Sequence, residues 1–407
     1  MFEPLAAIPK EELARRKAEC LAFLSELQPD AGGLLVLSRL SIYYFTGTLL
    51  PGVLWLPRNG ENVLMLRKGL ERAQLEAGGC RLAAFRSFSK LAAICKDMDS
   101  PLTEVLAAET TGATWQLGEM LASRLTGVSI VPGDMAISKA MARKSEWELE
   151  IMRLCGARHG EGLENIIPSK IRPGMSEREI AIICWESFYS LGHAGPLRMN
   201  AAGEECFLGH VSAGDSGNYP SGFNGPLGLR GGHPATPFMG YAGKLWKSAQ
   251  PLALDIGFSL EGYCTDKTQV YWPGPASSIP DNVRKAHDFC MEIEAGLSDM
   301  MKPGTTPAEM WEFCLDTAQN RSMTEGFMGL GGNKVPFAGH GIGLVVDGWP
   351  ALAKGFDEPL EAGMCLAVEP KFGIPDLGMV GVENTFEVTE NGGRIITGCA
   401  GEIICIE

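Results

Sequence analysis

The run from Leu252 to Asp266 constrains the fold more than any other part of the chain. Leu252, Leu254, Ile256, Phe258 and Leu260 fall on one side, and Ala253, Asp255, Gly257 and Ser259 on the other. A period of two is that of a half-buried strand. Glu261-Gly262 reads as a turn, and Tyr263 to Trp272 is rich in aromatic and β-branched residues, so a hairpin is expected. With those two residues in the turn, Asp255 faces Thr268 and Gly257 faces Asp266. The two carboxylates then share a face as diagonal neighbours, roughly 7–8 Å apart at Cα. Aspartates converging from a polar strand face can bridge two cations about 3.5–4 Å apart. A pair of solvated edge carboxylates is the alternative.

Length and charge bound the rest. A chain of 407 residues can form two domains with well-buried cores. The formal charge of −14 argues against a nucleic-acid partner, because phosphate binding needs a basic surface. Met1-Phe-Glu-Pro4 does not open a secretory leader, and no run of eighteen apolar residues suggests a membrane span. The twelve cysteines are scattered without a Cys-x-x-Cys pair, as free thiols in a reducing compartment would be. A cytoplasmic protein is the expectation.

In chain order, Glu11 to Leu27 reads as an amphipathic helix, followed by strand-like runs at Gly33–Ser38, Gly52–Pro57 and, after an Asn59-Gly60 turn, Asn62–Arg67. Further alternation to about Pro132 gives an α/β domain over residues 1–138. Its most distinctive peptide, Ser41-Ile-Tyr-Tyr-Phe-Thr-Gly47, reads as core and turn. Residues 139–407 form the second domain, opened by a capping box at Ser145 and Glu148. Within it Arg172-Pro-Gly-Met-Ser-Glu-Arg-Glu179 recurs as Lys302-Pro-Gly-Thr-Thr-Pro-Ala-Glu309. Each copy carries a capping box, Ser176 with Glu179 and Thr306 with Glu309, which implies a duplicated half-domain.

A carboxylate-bearing sheet segment follows each copy. The first is the Asp255–Asp266 hairpin. The second contains Met364-Cys-Leu-Ala-Val-Glu369-Pro, then a strand from Met379 to Thr389 that puts Glu383 opposite Val380, Val382, Phe386 and Val388. Between them lies Phe337-Ala-Gly-His340-Gly-Ile-Gly-Leu344. Singly, each of these residues is more often structural than a ligand. Together they are four carboxylates and one imidazole within one duplicated domain, a donor set suited to Mn, Co, Fe or Zn.

The order of these motifs resembles the creatinase, prolidase and aminopeptidase P family of pita-bread metalloenzymes. The resemblance is carried by the two aspartates with ten residues between them, Gly339-His-Gly-Ile-Gly-Leu344, Gly363-Met364 leading to Glu369-Pro370, and Glu383 leading to Val388-Thr-Glu-Asn-Gly392. Ser41–Gly47, Lys144-Ser-Glu-Trp-Glu148 and Arg172-Pro-Gly extend it over nearly the whole chain. It implies an α/β N-terminal domain before an α+β pita-bread domain with pseudo-twofold duplicated halves. It also implies two divalent ions (Mn, Co, Fe or Zn) held by Asp255, Asp266, His340, Glu369 and Glu383, and a homodimer. The activity it implies is that of an Xaa-Pro aminopeptidase or proline dipeptidase acting on small peptides through metal-activated water, with Glu369 also moving the proton.

Four positions depart from the family pattern. Asp347 stands where a second, substrate-side histidine is usual. Gly381 replaces an arginine two residues before the last ligand, Asn384 an aspartate, and Gln269 the arginine of an Asp-x-Thr-Arg motif. The upstream histidine that would meet substrate and take part in catalysis is assigned to His233 by its distance from Asp255, with His210 the other candidate across the Gly/Pro-rich loop Asn218–Pro237. Asp347 keeps a second reading open, a small-amide hydrolase or lyase on the same scaffold. A non-catalytic binding module would be marked by lost ligands, and none is lost.

Overall fold

The structure, a computed structural model, describes residues 7–200, 205–236, 238–399 and 401–407. Met1–Pro4, read above for a leader, and Pro237 lie outside the described residues. The chain forms two compact units, Met1–Met141 and Ala142–Glu407.

The first unit is a six-stranded mixed sheet in the spatial order Cys80–Ala84, Asn62–Leu66, Gly52–Pro57, Gly33–Val36, Val105–Ala108, Ser129–Pro132. Gly52–Pro57 pairs antiparallel with both its neighbours and the outer pairs are parallel. The helix read from Glu11 begins at Lys10 and ends at Leu27. The expected turn at Ser41–Gly47 is instead part of a helix, Arg39–Thr46. Its cause is local. The Ser38 hydroxyl accepts from the Ser41 N–H at 3.1 Å, and Gly47 closes the other end at φ +84°, so a polar N-cap and a left-handed glycine turn the apolar run into a helix.

In the second unit Leu252–Leu260 and Tyr263–Pro273 form the antiparallel hairpin. Its register is the expected one, with Asp255 opposite Thr268 and Gly257 opposite Asp266. Glu261 and Gly262 both have positive φ, +52° and +90°, the geometry that matches a two-residue turn to strand twist. Gly209–Ala213 pairs on the outer edge of the first strand, and Ile404–Ile406 runs parallel to the second. The hairpin is not half-buried as its alternation suggested. Leu252, Leu254, Ile256 and Phe258 join one core with Ile180 and Phe188, while Ala253 on the opposite face joins another with Trp272 and Val380. The polar face is covered by Val283 and Ala286 of helix Asp281–Met300 together with Ile374 and Val380, and a second sheet meets the hairpin's edge at Thr268.

That second sheet has the order Gly348–Ala353, Phe337–Gly341, Cys365–Val368, Asn384–Thr389, Gly392–Ile395. The single strand read from Met379 to Thr389 is two. Gly378–Gly381 pairs with Lys371–Ile374 in a separate ribbon, and Asn384–Thr389 pairs with Cys365–Val368. Gly381 sits at the break with φ +130°, and a Cβ there would lie 2.4 Å from the Pro370 carbonyl oxygen. Only glycine fits that backbone.

The two halves are built alike. Helices Glu146–Glu161 and Asp281–Met300 precede the repeated peptides. Helices Glu177–Ser190 and Pro307–Asn320, each 14 residues long, follow them with both capping boxes formed. Gly174 and Gly304 share nearly the same φ, +93° and +97°. The fold class expected from the sequence is the one observed. No helix among the described residues is long and apolar enough to cross a membrane.

Candidate metal centre

The hairpin and the second sheet meet edge to edge, and the carboxylates lie along that seam. Thr268 N–H donates to the Glu383 carbonyl at 3.1 Å. The Thr385 hydroxyl accepts from Asp266 N–H at 2.9 Å and donates to the Asp266 carbonyl at 3.0 Å. These bonds fix Asp255 and Asp266 against Glu383, which occupies the break between the two strands. Glu369 follows Cys365–Val368, where its N–H donates to the Ala338 carbonyl at 3.0 Å and so brings it beside His340.

Asp255, Asp266, His340, Glu369 and Glu383 all line one cavity of about 280 Å³. Ligand atoms of Asp266, His340 and Glu383 lie within 4.8 Å of one another, and His340 Nε2 is 3.8 Å from Glu369 Oε1. The Thr268 hydroxyl lies 2.6 Å from Asp255 Oδ1 and 3.0 Å from Glu383 Oε2. Lys371, fully buried, donates from Nζ to Glu383 Oε2 at 2.9 Å.

The electrostatics follow from crowding in a dry place. Burial raises the carboxyls of Glu369 and Glu383 to about 8, against the opposing charge of Lys371. Burial and then the charges of Glu383, Asp255 and Glu369 raise Asp266 well above the usual range. Burial would raise Asp255 too, but Lys371 and the hydrogen bonds around it hold it below its ordinary value. Burial disfavours the ammonium of Lys371, yet Glu383, Asp255 and Glu369 outweigh it and keep the lysine charged. Three carboxyls whose ionisation is penalised, next to an imidazole, form a set in want of a further cation. The donors are oxygens with one nitrogen, so the residues present fit a divalent metal ion.

Of the six histidines, His210 and His340 are the two among the described residues that line the cavity. His233, the expected substrate-side residue, is exposed, and its Nδ1 accepts from the Ala235 N–H at 3.1 Å within its own loop. His210 is buried, lies opposite Asp255 in the ladder, and faces the Phe223 ring at 5.4 Å. Burial keeps its imidazole neutral at a pH where an exposed one would begin to charge. The pairing of Gly209–Ala213 with the hairpin crosses the long glycine-rich loop, so distance along the chain could not choose between the two.

Asp347 lines the cavity and Oδ1 accepts from Asn200 N–H at 2.6 Å. The other departures have structural partners. Asn384 accepts from Lys267 Nζ at 2.6 Å and from the Thr397 hydroxyl at 3.0 Å, and donates to buried Glu294 at 2.9 Å. Gln269 donates to the Glu402 carbonyl at 2.7 Å. Gly381 pairs with Lys371 across the ribbon. Lys371 was missed from sequence, where a lysine after Glu-Pro reads as a surface charge.

Residues 150–390 match the family described as Metallopeptidase family M24, and residues 16–140 match the Creatinase/Prolidase N-terminal domain. The chain is 23% identical to an Xaa-Pro dipeptidase of Pyrococcus furiosus over 96% of its own length and 100% of that protein's. It is 24% identical to an uncharacterized peptidase of Bacillus subtilis, over 92% and 96%. Among solved structures, an Xaa-Pro dipeptidase from Bacillus anthracis superposes with a TM-score of 0.78 at 22% identity, over 97% of this chain and 99% of that one. An X-Pro aminopeptidase from Thermotoga maritima gives 0.76 at 20%, over 96% and 99%.

Proposed function

The chain belongs to metallopeptidase family M24 and is a metal-dependent hydrolase of that family, and on this premise we propose that it cleaves small peptides at an Xaa-Pro bond. The reading is that of an Xaa-Pro aminopeptidase or a proline dipeptidase. What carries it is the convergence of Asp255, Asp266, His340, Glu369 and Glu383 on one small cavity. These five residues would hold the metal, which supplies Lewis-acid polarisation of the scissile carbonyl and acidifies water at the site.

The chain's own groups do the rest. Glu369, at the cavity wall beside His340, is placed to take a proton from the attacking water and pass it to the leaving nitrogen. His210, neutral and fixed beside Asp255, is the imidazole available to the substrate carbonyl. Thr268 orients Asp255 and Glu383. Leu197, Leu208, Phe223, Leu227 and Phe337 give the cavity an apolar wall that suits a prolyl ring and excludes water.

No lysine or arginine is among the described residues lining the cavity. The free carboxylate of a dipeptide would therefore enter the cavity without a cationic partner, whereas the continuing amide of a longer peptide carries no charge to satisfy. That favours the aminopeptidase over the dipeptidase. The same feature, with Asp347 in a histidine's usual place, supports a second reading: hydrolysis of a small, non-anionic amide. Metal-loaded protein incubated with Xaa-Pro dipeptides, Xaa-Pro-Xaa tripeptides and small amides separates these. Release of the N-terminal residue from tripeptides supports the first reading. Turnover of amides with no peptide cleaved replaces it with the second.

A further inference from the structure

The sequence resemblance implies two ions, but it gives no role to Lys371. We propose that the centre seats one divalent ion, on Asp266, His340 and Glu383 with Glu369 beside them, and that the Lys371 ammonium occupies the Asp255–Glu383 side where a second ion would sit. This rests on the metal-centre reading above and narrows it.

A carboxylate that bridges two ions needs both oxygens. Glu383 Oε2 already receives the Lys371 ammonium at 2.9 Å, with the Thr268 hydroxyl at 3.0 Å. One oxygen of Glu383 remains for metal. Asp255 has Oδ1 tied to the Thr268 hydroxyl at 2.6 Å, and like Glu369 it is absent from the group whose ligand atoms converge within 4.8 Å, but only Glu369 is brought to that group, 3.8 Å from His340 Nε2. The cluster is thus asymmetric, with three converging donors on one side and a built-in cation on the other.

Lys371 is also poorly placed to leave. It begins the ribbon strand Lys371–Ile374, pairs with Gly381, and is fully buried. Swinging its ammonium away would strand a charge in the core, and admitting a dication beside it would set like charges together in a low dielectric. The lysine supplies one positive charge at the place where a second, divalent ion would supply two, and it cannot be exchanged.

The test is metal stoichiometry. Metal-depleted wild type, Lys371→Met and Lys371→Arg are titrated with Mn(II) by calorimetry and equilibrium dialysis, and their bound Mn(II) is examined by electron paramagnetic resonance. Wild type and Lys371→Arg are expected to bind one ion per chain and to give the six-line signal of an isolated ion. Lys371→Met is expected to bind two that couple magnetically. Two coupled ions in wild type would overturn the proposal while leaving the metal-hydrolase reading intact. A single ion in folded Lys371→Met would overturn the lysine's role. No Mn(II) binding by wild type would overturn both readings. If Lys371→Met does not fold, the wild-type count and spectrum decide alone.

Discussion

Thr268 is the residue through which the hairpin and the second sheet share their carboxylates, and Thr268→Val tests whether that sharing matters. The substitution keeps the buried shape and deletes the hydroxyl. That hydroxyl lies 2.6 Å from Asp255 Oδ1 and 3.0 Å from Glu383 Oε2, but one hydrogen can be donated to only one of them at a time. The loss is therefore one hydrogen bond to a charged group, about 1.5–3 kcal/mol. The metal-free protein loses less, because an orphaned carboxyl among its neighbours can take up a proton. The metal-bound protein needs the ionised form and loses nearly the full amount. At 1.4 kcal/mol per factor of ten, Mn(II) affinity should fall roughly 10- to 100-fold, the usual effect of removing a partner that orients a ligand. Isothermal titration reads this directly, and thermal unfolding of the metal-free protein should shift by only a few degrees. Unchanged Mn(II) affinity in a folded variant would refute the reasoning.

Other expectations follow from single residues. His210→Ala should lower kcat on an Xaa-Pro peptide by about 10²-fold or more, as loss of one stabilising donor does, while His233→Ala should leave kcat unchanged in the same assay. Asp347→His exchanges the acceptor of Asn200 N–H for an imidazole, and it should raise cleavage of Xaa-Pro peptides; a fall would give Asp347 a substrate contact and favour the small-amide reading. Glu294, buried beside Asn384, has its carboxyl raised from 4.5 to about 7 by burial, against the Asn384 hydrogen bond and the charge of Lys267. The folded state then holds this proton more tightly than the unfolded one, so its ionisation penalty is absent below pH 4.5, grows through that window and is complete above pH 7. Glu294→Gln should match wild type in stability near pH 4.5 and exceed it above pH 7 by up to about 3 kcal/mol, measured by denaturant unfolding at both pH values.

What the sequence made legible is what local chemistry decides. The hairpin register follows from alternation and a two-residue turn, and both are observed in Leu252–Pro273. The capping boxes at Ser176 and Thr306 involve residues three apart, so they can be read without knowing the fold. The apolar run Ile42–Phe45 reads as core and is largely buried, but its helix depends on the Ser38 cap, which lies outside the Ser41–Gly47 peptide. Features set by long-range pairing were not legible. That His210 lines the cavity depends on which strand pairs with Leu252–Ile256, and the break at Gly381 depends on where Pro370 passes. Lys371 is the clearest case: nothing near it in sequence says that two sheets will close over its ammonium.

The most direct test of the centre is diffraction from crystals loaded with Zn(II), with data collected on both sides of the zinc absorption edge. An anomalous peak among Asp266, His340 and Glu383, about 2.0–2.2 Å from their ligand atoms, is the predicted result. A peak elsewhere, or none in zinc-loaded crystals, would contradict it.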